Sequence, residues 1–329
     1  MHAVENLDLG YDKPLCSAFV ERYYGETDTL HLSFGEMTII TNDAKFIIGL
    51  SIDGKSVKHE GYAQELEWDK IYAFTKNVFQ WDEDMTKSRV LVGKAKHRIF
   101  YLSKLRDLFM GTKKLHAEGK EVTKERIFST ANAYVLYILA SVIFPDVSGA
   151  RVNANFIQML QPFDKIHEYS WGTFILAHSL NELRKAYRVD RNQIGGTTGF
   201  LQKWIYLHFP IFAEKAFKNR EWGDKFYGDM YIYNSNEKSQ DEVYLKLRRQ
   251  LDNLTTKDVV FDPYKNDLAK GKGKMVGCTE QDSYFGTLFH PKIYVMYNPT
   301  RVARQCRYVQ NIPKEHKEFT IDDKKKRVI

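Results

Sequence analysis

One stretch limits the fold more than any other. From Thr123 the chain runs through Tyr134, Leu136, Tyr137, Leu139 and Val142 to Phe144, where Pro145 ends it. Threonine supplies N-cap chemistry at the start. Proline lacks an amide and pushes the preceding residue out of the helical region, so the run reads as one long helix with definite ends. Its interior is apolar on nearly every side, which marks a central core helix that needs other helices to cover it. The sequence provides them. Ile71, Phe74, Val78 and Trp81 recur at helical spacing over 68–81, and Ile99, Leu102, Leu105, Leu108 and Phe109 form a second stripe. Further helices are expected over 170–187, over 198–209 ahead of Pro210, and over 241–254.

The β signals are short. Leu30, Leu32 and Phe34 alternate with His31 and Ser33, then Gly35-Glu36 intervenes before Met37, Thr38, Ile39 and Ile40, which predicts a hairpin turning at the glycine. Thr41-Asn42-Asp43 offers N-cap chemistry for a short helix ended by Gly49. Residues 259–261 and 293–297 are strand candidates, and Asn298-Pro299 starts a last helix. The expected fold class is mainly α (α+β): a helical domain with short β-hairpin and strand elements near its N- and C-terminal ends.

Charge is distributed unevenly. Residues 87–126 hold twelve Lys+Arg against four Asp+Glu, a net +8, whereas the whole chain sums to +7. The basicity is therefore local, the footprint expected of a phosphate-binding surface or of a well-solvated lysine face. Lys96, Arg98, Lys104 and Arg106 fall off the 99–109 apolar stripe, with Lys113 and Lys114 beyond it. Arg301, Arg304 and Arg307 recur every three residues after Pro299; they suit either phosphates or internal carboxylates. We take Lys94, Lys96, Arg98, Lys104, Arg106, Lys113, Lys114, Arg301 and Arg304 as the candidate nucleic-acid-binding set.

The three cysteines, Cys16, Cys278 and Cys306, lie far apart and form no Cys-x-x-Cys pair, which argues for a reducing compartment and against a cysteine zinc site. The longest apolar run, 133–144, falls short of the ~18 residues a bilayer span needs, so no membrane association is expected. No secretory signal opens the chain, and Lys324, Lys325, Lys326 and Arg327 have the composition of a nuclear-import signal.

Catalytic patterns find little support. Pyridoxal-phosphate chemistry needs a Schiff-base lysine, a carboxylate for the pyridine nitrogen and a phosphate cup on an α/β scaffold, and no strand–helix alternation of that kind is present. Gly195-Gly196-Thr-Thr-Gly199 lacks the preceding strand and the Gly-Lys-Ser/Thr ending of a P-loop and reads better as an interhelical turn. No His-Glu-x-x-His occurs, and Asp82-Glu83-Asp84 reads as an exposed acidic turn. Ser170 has no nucleophile elbow and suits a helix N-cap. No catalytic residue, metal ligand, cofactor or small-molecule substrate is expected.

Several blocks resemble a known family. Glu26-Thr-Asp-Thr-Leu-His-Leu-Ser-Phe-Gly-Glu-Met-Thr-Ile-Ile-Thr-Asn-Asp43 is followed by Ile48-Gly-Leu-Ser-Ile-Asp-Gly54, Tyr134-Val-Leu-Tyr, Phe144-Pro-Asp146 and Tyr169-Ser-Trp-Gly172. Ile194-Gly-Gly196, Leu201-Gln-Lys-Trp204, Phe261-Asp-Pro-Tyr264, Pro299-Thr-Arg-Val-Ala-Arg-Gln305 and Gln310-Asn-Ile-Pro313 come after them. In this order they resemble the plant mobile domain, also labelled aminotransferase-like. Phe261 stands where a tryptophan is common, and Cys306 where an aromatic residue is typical. The resemblance implies a domain over 15–315, with an N-terminal extension (1–14) and a basic tail (316–329). It implies membership of a group found inside plant transposable elements and as free-standing nuclear proteins linked to transposon silencing, gene-expression control and meristem and genome maintenance. It also implies a phosphatase-like partner of the protein-phosphatase-seven long-form type, and supplies no catalytic residues. The resulting expectation is a non-enzymatic nuclear regulatory module that touches duplex DNA through the basic patch. A protein-interaction scaffold without DNA contact is the alternative, and an enzyme of unknown type a distant third.

Overall fold

A computed structural model describes residues 10–56, 65–93, 97–145, 150–186, 198–214, 216–218, 226–233, 240–265, 286–290, 293–306 and 308–311. The protein is mainly helical, with small antiparallel sheets of two or three strands. It divides into two compact units. The first comprises Met1–Ser56, Ser170–His290 and Tyr294–Ile329, and the second Val57–Tyr169 with Pro291–Ile293.

The first unit opens with α1 (Lys13–Val20), capped by Asp12, whose carboxylate accepts the Leu15 N–H at 2.9 Å. A meander follows of β1 (Tyr23–Tyr24), β2 (Thr29–Leu32) and β3 (Gly35–Met37), with Leu30 opposite Met37 and Leu32 opposite Gly35. That register makes Ser33-Phe34 the turn, two residues before the Gly35-Glu36 break expected from the sequence. Gly35 instead begins β3 at φ +135°, a conformation that favours glycine. Next come an α-turn, Thr41–Asp43, and a π-helical turn, Ala44–Ile48, closed by Gly49 at φ +76°. The N-cap is Ile40 rather than Thr41: Asp43 reaches back to accept the Ile40 N–H at 2.7 Å.

The second unit contains α2 (Trp68–Phe79), α3 (Glu83–Arg89), β4 (Val90–Val92), β5 (Arg98–Tyr101), α4 (Leu102–Phe109), α5 (Thr112–Ala117), α6 (Lys124–Ile138) and β6 (Arg151–Asn153). Strands β4, β5 and β6 form an antiparallel sheet in that order. Phe79, Trp81, Phe100 and Phe109 pack as an aromatic cluster with centroids 4.7–6.3 Å apart. Helix α6 is capped by Thr123 as expected and continues as a π turn, Leu139–Ile143. Both α2 and α4 pack on it, and it buries Ser129, Asn132, Ala133 and Leu136.

Two expectations for this region need correction. Ile99 is not part of a helical stripe: 98–101 form β5, and the helix starts at Leu102. Ile99 stands three residues before Leu102, which imitates helical spacing, while Ile99-Phe100-Tyr101 has the β-branched and aromatic character of a strand. Nor is α6 covered all round, since Ile127, Phe128 and Tyr134 are exposed. The continuous helix Lys124–Ile143, 20 residues, also has the length and apolar composition of a bilayer-crossing helix, which the 133–144 run alone did not reveal.

The first unit resumes with α7 (Trp171–Ala186), α8 (Thr198–His208), β7 (Phe217–Lys218), β8 (Tyr231–Ile232), α9 (Gln240–Asp252), β9 (Gly286–His290) and β10 (Ile293–Tyr297). Helix α9 packs on α1 and α7 on β9. Fully buried Trp204 sits edge-on to Phe19 and Phe209. Residues 259–261 are not a strand; the Val260 N–H donates to the His208 carbonyl at 2.9 Å instead. The helix expected from Pro299 is a single 3-10 turn, Pro299–Val302.

Candidate nucleic-acid interface

A phosphate surface needs cations whose donors are still free to face solvent, so the partners of each candidate decide its role. Arg98 is committed elsewhere. It projects from β5 rather than a helix, and its guanidinium donates to the Leu66 carbonyl. It lies 5.3 Å over the Trp68 ring and 3.5 Å from Glu67, with its side chain 14% exposed. Glu65 holds the same corner, accepting from the Arg98 N–H at 3.3 Å and Asn153 Nδ2 at 3.0 Å, and sitting 2.6 Å from His97 Nδ1. Arg126 is also internal: it donates to Thr112 Oγ1 at 3.1 Å and the Leu108 carbonyl at 2.6 Å, beneath Phe109.

The remaining candidates of this unit face outward. Lys104 is exposed, 5.6 Å over the Tyr101 ring. Arg106 binds its neighbour Asp107 at 2.9 and 3.1 Å, both more than half exposed. Lys114 is 81% exposed and 3.8 Å from Glu118, which also meets Lys120 at 3.0 Å. Surface pairs of this kind hold little free energy and yield readily to a competing anion. Lys113 falls within α5; Lys94 and Lys96 lie outside the described residues, as do Arg307 and the Lys324–Arg327 run. The patch is therefore spread over several elements rather than one helix. Its unit also offsets part of it: Val57–Tyr169 holds seventeen Lys+Arg against fourteen Asp+Glu, a net +3.

The arginine candidates of the first unit differ from each other. Arg301 makes a two-pronged ion pair with Glu36 at 2.7 and 2.8 Å, and Glu36 also accepts the Thr29 hydroxyl at 2.8 Å. Burial pushes the Glu36 carboxyl up, but the bonds from Arg301 and Thr29 outweigh it and hold the group below its ordinary range. Gln305, one turn on, accepts the Thr38 N–H at 2.9 Å and donates to the Thr38 carbonyl at 2.8 Å, continuing the pairing beyond β3. Arg304 is exposed, 5.7 Å over the Phe261 ring. Phe261, at one of the departures from the family pattern, thus packs against Arg304 and edge-on to Phe34; Cys306, at the other, is buried.

Other blocks of the resemblance also close on one another. Ser170 Oγ donates to the Ile52 carbonyl at 2.7 Å, and the Gly172 N–H donates to the Ser51 carbonyl at 2.7 Å. A Cβ on Gly172 would stand 2.9 Å from that oxygen, so the approach requires glycine. Asp43, His208 and Tyr264 form a buried cluster that sequence reasoning missed. Asp43 Oδ1 accepts from the Tyr264 hydroxyl at 2.7 Å and lies 3.1 Å from His208 Nε2, and His208 Nδ1 is 2.8 Å from the Val260 carbonyl. Burial, with Asp43 beside it, raises the Tyr264 phenol well above its usual range. Lys203, buried in α8, has its amine pushed down to about 8 by desolvation, partly opposed by Asp229. A lysine flanked by Phe200, Leu201, Trp204 and Ile205 was the available signal. Among the described residues no three His, Cys, Asp or Glu side chains group as metal ligands.

Known proteins extend these observations. The Arabidopsis thaliana protein MAINTENANCE OF MERISTEMS is 28% identical over 314 residues, 93% of this chain and 59% of its own length. MAIN-LIKE 2 from the same plant is 29% identical over 269 residues, 78% of this chain and 36% of its own. Its serine/threonine-protein phosphatase 7 long form homolog is 26% identical over 318 residues, 92% of this chain and 22% of its own. The chain thus spans less than two thirds of each of these relatives. No solved structure matches. The plant mobile domain model matches residues 1–328, and with the relatives just described it establishes that the chain belongs to the plant mobile domain family.

Proposed function

We propose that the chain is a non-enzymatic nuclear regulatory module that contacts the phosphate backbone of duplex DNA through its second unit. One observation carries the proposal. Among the described residues of 87–126 the exposed cations are Lys87, Lys104, Arg106, Lys114, Lys120 and Lys124, while the planar guanidinium groups of Arg98 and Arg126 bind internal carbonyls. A surface made mostly of flexible point charges suits phosphates, whose spacing varies, better than base edges, which demand a fixed fork. Binding is then insensitive to sequence. A role in transposon silencing, gene-expression control and meristem maintenance rests on the family and on the name of the meristem relative. Nuclear import is assigned to Lys324–Arg327.

Titration of a labelled duplex tests this. If roughly four to six phosphates are neutralised, log affinity falls against log salt with a slope of about −4 to −5. A salt-insensitive or undetectable interaction at low ionic strength removes the DNA reading. The second reading, a scaffold for a phosphatase-like partner, is favoured by the match to the phosphatase 7 long form homolog and by the exposed apolar residues of α6.

A further inference from the structure

Strands β4 and β5 form a hairpin, and the Gly93 N–H donates to the His97 carbonyl at 2.7 Å just beyond the ladder pair Val92 and Arg98. In sequence His97 belongs to the basic run Lys94-Ala-Lys-His-Arg98. Its ring is held rather than free. Nδ1 lies 2.6 Å from Glu65 Oε1, and Glu65 is itself fixed by the Asn153 side-chain amide at 3.0 Å and the Arg98 N–H at 3.3 Å. Both of those groups donate, so the carboxylate is an acceptor and Nδ1 carries the proton that bonds it. The bond made by one ring nitrogen sets the state of the other, which leaves Nε2 as the bare nitrogen of the neutral ring. Nε2 has no hydrogen-bond or ion-pair partner among the described residues, and the His97 side chain is 53% exposed against 23% for Glu65.

A bare nitrogen lone pair repels a phosphate oxygen, whereas a protonated nitrogen donates a charge-assisted hydrogen bond to it. Imidazole changes between those states within the physiological range. The charged groups around His97 are Glu65 and Glu67 ahead of α2 and Arg98 on β5, with Arg151 at the far end of β6 opposite Tyr101. Glu67 meets Arg98 at 3.5 Å, and Lys94 and Lys96 stand beside the histidine in sequence. Whatever these charges sum to, a proton on Nε2 makes the corner one unit more positive and turns an acceptor into a donor. His116, the other histidine of residues 87–126, is exposed near the end of α5 and has no orienting carboxylate among the described residues. We propose that His97, oriented by Glu65, is a further phosphate-contacting residue of the second unit and engages a backbone phosphate only when Nε2 is protonated. This rests on the proposed DNA contact and adds a proton to it: binding draws up to one proton from solvent onto Nε2.

The test titrates the full chain with a labelled duplex over a salt series at about pH 5.5 and about pH 7.5, on either side of an ordinary histidine midpoint. The slope of log affinity against log salt should be steeper at the lower pH by about 0.9, one more phosphate neutralised. His97→Gln should remove that difference and leave the slope at the higher pH at the parent's value, whereas His116→Gln should keep the difference. A second measurement needs no variant: ring-nitrogen NMR of the free chain at about pH 8.5 should show His97 with its proton on Nδ1. Equal slopes at the two pH values in a chain that binds DNA, a difference that survives His97→Gln, or a proton on Nε2 instead of Nδ1 each overturn the inference and leave the DNA contact standing. Absence of salt-dependent binding at both pH values removes the two together.

Discussion

Arg301 and Lys104 carry the same charge and stand as equal candidates in the sequence, yet the two units treat them in opposite ways. In the first unit Arg301 is closed by Glu36, 265 residues away in sequence, and the neighbouring Gln305 ties Thr38 through both its amide groups. In the second, among the described residues, Lys104 lies over the Tyr101 ring and Lys114 makes a loose pairing with Glu118. Charge written in a sequence is not charge available to a ligand. A guanidinium with several directed donors finds carbonyls and carboxylates during folding, whereas a strongly hydrated ammonium on a flexible stem stays in water. Arg98 shows that the rule follows the side chain's partners more than the unit, since it is sealed inside the basic segment itself.

The sharpest break would come at Gln305. Replacing it with alanine leaves a buried N–H and a buried carbonyl of Thr38 unpaired, at about 1–3 kcal/mol each, so Gln305→Ala should lower the denaturant-unfolding free energy by about 3 kcal/mol. A loss below about 0.5 kcal/mol would mean that the first unit is not held by this pairing. Lys203 sharpens the comparison in the other direction, as a first-unit cation whose burial Asp229 only partly offsets. Its amine titrates at about 8 when folded, against 10.5 ordinarily. Between those values the unfolded chain binds more protons, so this group makes stability rise with pH from about 8 to 10.5, and its full cost applies below that window. Lys203→Met should therefore flatten the alkaline rise in stability; an unchanged pH profile would contradict it.

Smaller effects separate neighbours within the second unit. Arg98→Gln should cost about 1–2 kcal/mol by removing the bond to Leu66, while Arg106→Gln, at an exposed pair, should stay within about 0.5 kcal/mol. Equal losses in thermal melts would erase the distinction between them. Lys104→Gln and Lys114→Gln should be the mildest, each within about 0.5 kcal/mol of the parent. A larger loss would show that these lysines hold the fold.

Elements with strong ends were legible in the sequence. Thr123 and Pro145 bracket α6 and its π turn, and Gly49 closes the turn begun at Asp43. Short elements were not, because one or two turns of periodicity fit more than one conformation: Ile99 joined a helical stripe but belongs to β5, and 259–261 looked like a strand although Val260 commits its backbone groups to His208. For the candidate site, the sequence located the excess charge but could not say which cations are occupied. The acceptors for Arg98 and Arg301, the Leu66 carbonyl and Glu36, stand 32 and 265 residues away. Asp43, His208 and Tyr264 were invisible for the same reason, each unremarkable until the fold brings them together.

The central claim is that exposed lysines bind phosphate while enclosed arginines hold the fold, and one paired measurement reaches it directly. Two variants, Lys104→Gln/Arg106→Gln/Lys114→Gln and Arg98→Gln/Arg301→Gln, would each be assayed for melting temperature and for the salt slope of duplex binding. The first should melt like the parent and flatten the slope by about 2 to 3, near 0.9 for each phosphate no longer neutralised. The second should melt at a lower temperature and, while folded, keep the parent's slope. The reverse pattern, with the slope lost in the arginine pair and retained in the surface triple, would contradict the account.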